Sequence, residues 1–283
     1  MLLAIQEFIQ GISQYQFLKI ALITSVLIGS IAGVIGPFII LRGISLLGDA
    51  ISHAVLPGVV ISYLLGINYV IGATLFGLLA AFSIGFIQDH SRLKHDSTIG
   101  IVFSGFFALG VILIAFAKSS TDLNHILFGN LLAVRNSDTL LTAIIGGAVI
   151  LFIVLFFKEL TLSLFDPTMA RAAGLNVRFF DYALIVMLTL VSVVSLTTVG
   201  TVLVIAMLIT PAATAFLWTN RLVNMIGLAI LIGVVASIIG IFFSYTYNLA
   251  SGAAIVLTLG AIFFLSFVFS PKKGLLFYNR QHS

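Results

Sequence analysis

Asp49, His53 and Pro57 follow one another at intervals of four residues in "GDAISHAVLPG", residues 48–58, within a chain that otherwise avoids charge. Residues four apart lie on the same face of a helix. A carboxylate and an imidazole are suitable ligands for a divalent first-row cation. Pro57 has no N–H to donate to the carbonyl of His53, four residues earlier, so this oxygen is a third candidate ligand. The spacing predicts a metal site.

Other interpretations of this stretch stay open. Asp49 and His53 could hydrogen-bond each other, cap the helix, or form one link of a proton relay. Pro57, taken alone, is typical of a kink that serves packing. A helix that starts near Gly43 would carry His53 about 15 Å along its axis, close to the middle of a membrane about 30 Å thick. An ionisable group at that depth is costly unless it is paired, solvated or liganded.

The composition is that of an integral membrane protein. Of the 283 residues, 61% are hydrophobic and 8% are charged, which excludes a water-soluble domain of this size. The absence of cysteine excludes disulfides, thiolate metal sites and CxxC redox chemistry. The net charge of +4 does not require nucleic acid as a partner, because basic residues in such chains mark cytoplasmic loops.

The charge-free stretches predict an all-α, polytopic bundle. A membrane helix needs about 20 apolar residues. Single spans are expected in 20–41, 97–117 and 139–157, and pairs of spans in 50–88, 182–220 and 222–271, with turns near 66–68, 197–201 and 248–252. Nine spans result. Eight is the alternative, because the two halves of 182–220 are short and one of them could be re-entrant or broken.

The basic residues predict the orientation. With nine spans and an internal C-terminus, three basic residues lie outside: Lys19, Lys118 and Arg135. Ten lie inside: Arg42, Arg92, Lys94, Lys158, Arg171, Arg178, Arg221, Lys272, Lys273 and Arg280. This bias agrees with the positive-inside rule. The N-terminus is therefore expected outside and the C-terminus in the cytoplasm.

The chain divides into three predicted parts. Residues 1–16 are expected to form an interfacial segment, residues 17–271 the transmembrane domain, and residues 272–283 a cytoplasmic tail. In the outer loop 118–138, Asp122 and His125 could meet an incoming cation or a partner protein, although a solvated loop is the default.

The inner loop 158–181 contains a short helix with clear end signals. Asp166 is a good N-cap, Pro167 suits the first helical position, and Gly174 suits a left-handed residue after the end. Arg171 is its only charge. A helix this short has little core of its own, so we expect it to fit a groove on a partner. The chain has no GxxxxGK[ST] motif and is not expected to be an enzyme; nucleotide hydrolysis would come from the partner.

Two further prolines and a glycine pair suggest special helix geometry. Pro37 frees the carbonyl of Gly33, and Pro211 frees that of Met207. Such helix breaks often line transport paths, although packing kinks are an equal alternative. Gly29 and Gly33 form a GxxxG pair, which indicates close contact between helices.

Four blocks together resemble a known family. They are "LRGISLLGDAISHAVLPG" (41–58), "HILFGNLLAV" (125–134), "FDPTMARAAGLNV" (165–177) and "VGTVLVIAMLITPAATA" (199–215). In this order they resemble the membrane permease of bacterial manganese/zinc ABC importers. The form "DAISHAVLPG" looks more like the manganese branch, of the pneumococcal type, than the zinc branch.

The resemblance implies a fold similar to the cobalamin-importer permease, in the bacterial cell membrane and surrounded by lipid. It implies a homodimer on two ATP-binding cassette ATPases, supplied by an extracellular metal-binding lipoprotein or periplasmic binding protein. Asp49 and His53 match positions proposed to contact the metal in transit, and 166–174 matches the coupling helix. No permanently bound cofactor is implied; the cargo is Mn²⁺, with Zn²⁺ or Fe²⁺ as alternatives.

Two rival functions remain at this stage. A proton-coupled secondary transporter could use Asp49 and His53 as a relay, but the capped inner helix favours the ATP-driven importer. A sensor or scaffold without transport would not explain ionisable residues near mid-membrane.

Overall fold

The computed structural model describes residues 2–116, 131 and 134–271. The first six helices are α1 (Leu2–Gln14), α2 (Gln16–Arg42), α3 (Ser45–Ala54), α4 (Leu56–Leu65), α5 (Tyr69–His90) and α6 (His95–Phe116). The others are α7 (Asn136–Leu155), α8 (Phe157–Phe165), α9 (Pro167–Ala172), α10 (Val177–Val199), α11 (Thr201–Trp218), α12 (Leu222–Tyr247) and α13 (Ser251–Phe269). The predictions for Asp122 and His125 and for the tail 272–283 lie outside the described residues.

The described residues contain nine helical stretches long and apolar enough to cross a membrane, with α3 and α4 together forming one of them. One helix ends and the next begins at each of the three predicted turns. Gly66 and Asn248 adopt the left-handed conformation after α4 and α12, and Gly200 separates α10 from α11 with a φ of +83°. Both halves of 182–220 form full helices, as the nine-span prediction requires.

Helix α2 lies at the centre of the bundle and packs closely on α12. A Cβ atom placed on Gly33 would lie 2.6 Å from the backbone N and Cα of Ile230, and one on Gly29 would lie 3.0 Å from the carbonyl of Gly233. The Ser237 hydroxyl on α12 also donates to the Ser25 carbonyl on α2, at 3.1 Å. The close contact predicted from the GxxxG pair is present, and it is made by backbones that approach each other directly.

We expect Gly33→Ala to destabilise the bundle, because the new methyl group would collide with the main chain of α12 and not with a movable side chain. Overpacking of this kind costs about 1–3 kcal/mol. Thermal unfolding of the purified protein in detergent measures the effect. Gly227→Ala, in α12, is the matched control, because a Cβ there meets nothing within 4 Å. Equal melting temperatures for the two variants would contradict the packing argument.

No helix break is present at Pro37 or Pro211, which agrees with the packing alternative and not with helix breaks at these positions. Helix α2 continues through Pro37 and α11 through Pro211, and both prolines are buried. A Cβ on Gly36, beside Pro37, would lie 2.5 Å from the carbonyl oxygen of Leu208, near Pro211. The two prolines thus belong to a tight contact between α2 and α11, where surrounding helices support the local loss of a backbone hydrogen bond.

Helices α1, α8 and α9 are shorter than the candidate spans. On α1, Phe8 is buried and meets the rings of Phe242 and Tyr245 on α12. The interfacial role of residues 1–16 stays a prediction. Helix α8 was not predicted, because residues 158–165 fall in the predicted inner loop. They form a separate helix, in which Leu160 and Ser163 are buried.

Candidate metal-transit site

The span that contains the predicted site is broken in the middle. Gly43, with a φ of +72°, ends α2, and α3 begins at Ser45, close to the expected start near Gly43. Helix α3 ends at Ala54, and α4 begins at Leu56 with Pro57 in its first turn. The amide of Val55 donates to the carbonyl of Ile51 at 3.2 Å and also points toward that of His53. The helix is thus interrupted beside Pro57, unlike at Pro37 and Pro211.

Asp49 and His53 lie side by side on α3, as their spacing predicts. The His53 Nε2 atom is 3.5 Å from Asp49 Oδ1, which is longer than a usual hydrogen bond. Two ligands about 2.1 Å from one cation are separated by about 3.0–3.4 Å when the angle at the metal is 90–110°. The two atoms can therefore contact one ion after a small adjustment of either side chain.

Two aromatic rings on α6 hold the imidazole. Phe103 and Phe107 meet the His53 ring edge to face, at centroid distances of 5.6 and 5.8 Å. The Nδ1 atom is buried and has no hydrogen-bond partner in the part of the chain that the structure describes. The rings orient the imidazole so that Nε2 is the atom that faces Asp49. Sequence reasoning missed both phenylalanines, although their own four-residue spacing was a readable signal.

The Asp49–His53 pair lies on a largely buried span, but both side chains are partly exposed. The span Ser45–Leu65 is the most buried of the nine candidates, with 72% of its most apolar window buried. The side chains of His53 and Asp49 nevertheless remain 30% and 46% exposed. Among the described residues, no cluster of three or more His, Cys, Asp or Glu side chains could hold a metal.

The short helix α9 has the end structure that the sequence predicts. Asp166 Oδ1 accepts hydrogen bonds from the amides of Thr168 and Met169, at 3.1 and 2.8 Å. Pro167 is the first helical residue. Gly174 has a φ of +83°, and its amide donates to the Arg171 carbonyl at 3.0 Å. Both ends of α9 are therefore fixed by local hydrogen bonds.

Helix α9 presents an exposed surface. Met169 is 58% exposed, Arg171 is also exposed, and the neighbouring Phe165 is 59% exposed, whereas Ala170 is fully buried against the bundle. Large exposed apolar side chains around a rigid, capped helix are typical of a surface that docks another protein.

In the described part of the chain, nine apolar candidate spans, a pair of ionisable side chains on one of them and a short, capped, exposed helix define a multi-pass membrane permease. The sequence matches the model of the ABC 3 transport family over residues 14–270, and the chain belongs to that family. The family-level prediction from the four sequence blocks is confirmed.

Three comparisons show how similar the relatives are. The manganese transport system membrane protein MntC of Listeria monocytogenes is 62% identical over 97% of this chain and 98% of its own. The manganese import system permease protein ScaB of Streptococcus gordonii is 55% identical over 96% of this chain and 98% of its own. In a solved structure, PsaBC from Streptococcus pneumoniae in complex with Fab, one chain matches with a TM-score of 0.88 and 52% identity, covering 99% of this chain and 100% of that one.

Proposed function

We propose that this chain is the membrane permease subunit of an ATP-driven importer of Mn²⁺. The observation that carries the proposal is the Asp49–His53 pair, 3.5 Å apart on an interior helix. Relatives with 62% and 55% identity that are named for manganese transport and manganese import support the choice of metal. Zn²⁺ and Fe²⁺ are the alternative cargoes, because an imidazole and a carboxylate bind both.

The pair would act as a transient station for the cation. The Asp49 carboxylate supplies negative charge, which compensates for the hydration that the ion loses inside the bundle. The His53 imidazole supplies a nitrogen ligand, and the aromatic contacts from α6 limit its rotation. A site with two side-chain ligands from the described residues would bind the ion firmly enough to admit it and weakly enough to release it.

Membership of the ABC 3 transport family supports the proposal for the remaining parts of the importer. ATP would be hydrolysed by a separate ATP-binding cassette ATPase that docks on α9 through Asp166, Pro167, Arg171 and Gly174 and their neighbours. An extracellular metal-binding lipoprotein or periplasmic binding protein would deliver the cation to a homodimer of this chain, with the N-terminus outside and the C-terminus in the cytoplasm. No cofactor would be permanently bound, because the metal is the cargo.

Reconstitution of the chain with its ATPase in lipid vesicles tests the function. We expect Mn²⁺ uptake that needs ATP together with the binding protein and that a proton gradient alone does not drive. Uptake that follows an imposed pH gradient without the ATPase would establish a secondary transporter in its place. A competition series with Zn²⁺ and Fe²⁺ in the same vesicles identifies the preferred cargo.

Pro57→Ala tests whether the His53 carbonyl is a ligand. An alanine amide could donate to this carbonyl and join α3 to α4, which would remove one hard oxygen from the site. Mn²⁺ takes more oxygen ligands than Zn²⁺, so we expect Mn²⁺ uptake to fall several-fold and inhibition by Zn²⁺ to become stronger.

The measurement is Mn²⁺ uptake and its inhibition by Zn²⁺, at matched protein level. Pro37→Ala serves as the control, since Pro37 lies inside an uninterrupted helix. An unchanged ratio of Mn²⁺ uptake to Zn²⁺ inhibition in Pro57→Ala would mean that the proline serves packing alone.

A further inference from the structure

One arginine connects the end of α2 to both helices that flank α9. The Arg42 Nη1 atom donates to the main-chain carbonyl of Ser163 in α8, at 2.9 Å. Its Nη2 atom forms an ion pair with the carboxylate of Asp181 in α10. Helix α9 lies between these two contacts in the sequence. A single planar guanidinium therefore contacts both the helix before α9 and the helix after it.

Both contacts use geometry that arginine provides and lysine does not. The carbonyl of Ser163 is among the last four of α8, which have no partner within their own helix. The Asp181 carboxylate supplies the negative charge of the pair. The Ser163 carbonyl and the Asp181 carboxylate bind different nitrogens of the same rigid guanidinium, so the plane of this group fixes the distance between them.

From Arg42, the connection to the metal site is short and stiff. The amides of Gly43 and Ile44 donate to the carbonyls of Ile40 and Ile39, at 3.1 and 3.2 Å, which closes the corner after α2. Helix α3 begins at the next residue, and Asp49 lies about 6 Å along it at 1.5 Å per residue. A displacement of the Arg42 guanidinium is thus carried to Asp49 through one closed corner and one helical turn.

The surroundings leave room for such a displacement. The Arg42–Asp181 pair forms part of the wall of a cavity of about 370 Å³ that Gln88, Asp89 and Tyr182 also line. The Tyr182 hydroxyl donates to Asp89 at 3.3 Å, which ties α10 to the end of α5. Because the pair borders a cavity, α10 can shift against α2 there without compressing the close-packed core.

We propose that Arg42 is a positioning residue that transmits movement of α9 to the metal pair on α3. The proposal rests on the proposed function, in which the ATPase moves α9. Motion of α9 changes the separation of Ser163 and Asp181, and the Arg42 guanidinium moves with them. This movement is passed through the corner between α2 and α3 and rotates α3. Arg42 touches neither the cation nor the ATPase in this account; it acts through Asp49.

The test compares Arg42→Gln, Asp181→Asn and the double variant in vesicles that contain the complete importer. The measured quantity is the number of Mn²⁺ ions transported per ATP hydrolysed. We expect a drop of about tenfold for each single variant, within the range usual for coupling between two sites, while ATP hydrolysis stays within about twofold of the wild-type rate. Since both residues act through one contact, the double variant should be no worse than Arg42→Gln.

Two further variants complete the test. Arg42→Lys keeps the charge but cannot reach both partners in the same plane, so a partial loss of coupling is expected even if Arg42→Gln assembles poorly. Arg221→Gln is the control, because Arg221 is an exposed arginine that precedes α12. The number of Mn²⁺ ions transported per ATP hydrolysed by Arg221→Gln should equal that of the wild type.

The outcomes separate this inference from the proposed function. Wild-type ratios in Arg42→Gln and Arg42→Lys would overturn the inference, and so would a proportional loss of transport and hydrolysis, since that pattern indicates a merely structural ion pair. Losses that multiply in the double variant would also overturn the inference, because they would show that Arg42 and Asp181 act independently. A wild-type importer that moves no Mn²⁺ with ATP would instead contradict the proposed function.

Discussion

Asp49→Asn should reduce Mn²⁺ uptake at least about 100-fold while the protein still inserts and assembles. The amide keeps the size of the side chain but removes the charge that compensates the cation inside the bundle. A 100-fold loss corresponds to about 2.8 kcal/mol at 1.4 kcal/mol per tenfold. His53→Ala should have a similar effect, because only Asp49 would remain to contact the ion.

The measurement is Mn²⁺ accumulation in cells that lack other importers, at equal amounts of membrane protein. Asp96→Asn and His90→Ala are matched controls, since both residues are exposed near helix ends, and we expect uptake close to wild type from each. Normal accumulation by Asp49→Asn or His53→Ala would remove that residue from the site. Binding of Mn²⁺ to the purified complex checks that the loss lies at the metal and not in assembly.

Gly174→Val should uncouple ATP hydrolysis from transport by at least about tenfold. Gly174 has a φ of +83°, a conformation that a β-branched residue adopts only at high cost. The valine would break the turn that ends α9 and shift the surface offered to the ATPase. Ala172→Pro, which disrupts the last turn of the same helix, should give the same result through a different physical cause.

Copurification of the ATPase and the ratio of Mn²⁺ transported to ATP hydrolysed measure this effect. Gly147→Val is the control, because a Cβ at Gly147 meets nothing within 4 Å and its φ is not left-handed. We expect the control to retain the wild-type ratio. If Gly174→Val binds the ATPase and transports normally, the segment 166–174 is a linker and not a coupling element.

Much of the architecture was readable from local patterns. The span count followed from gaps between charges, because charge is excluded from a hydrocarbon core wherever it occurs in the chain. The caps of α9 followed from Asp166, Pro167 and Gly174, since capping depends on residues within one helical turn. The side-by-side placement of Asp49 and His53 followed from helical periodicity alone.

Local patterns failed where neighbouring helices decide the outcome. Proline chemistry is the same at Pro37, Pro57 and Pro211, yet the helix is interrupted only near Pro57. At the other two positions, the close contact between α2 and α11 supports a continuous helix. Helix α8 was missed for a related reason. Leu160 and Ser163 are buried against the bundle, and this burial cannot be predicted from the short, mixed sequence of α8.

The sequence by itself determined which residues could hold a cation and which segment could dock a partner. Only the tertiary structure decided how these two parts are connected. Arg42 lies 121 residues from Ser163 and 139 from Asp181, and His53 meets its aromatic neighbours on a helix two spans later. Propensity, capping and periodicity act over a few residues, whereas contacts between helices are chosen by the packing of the whole bundle.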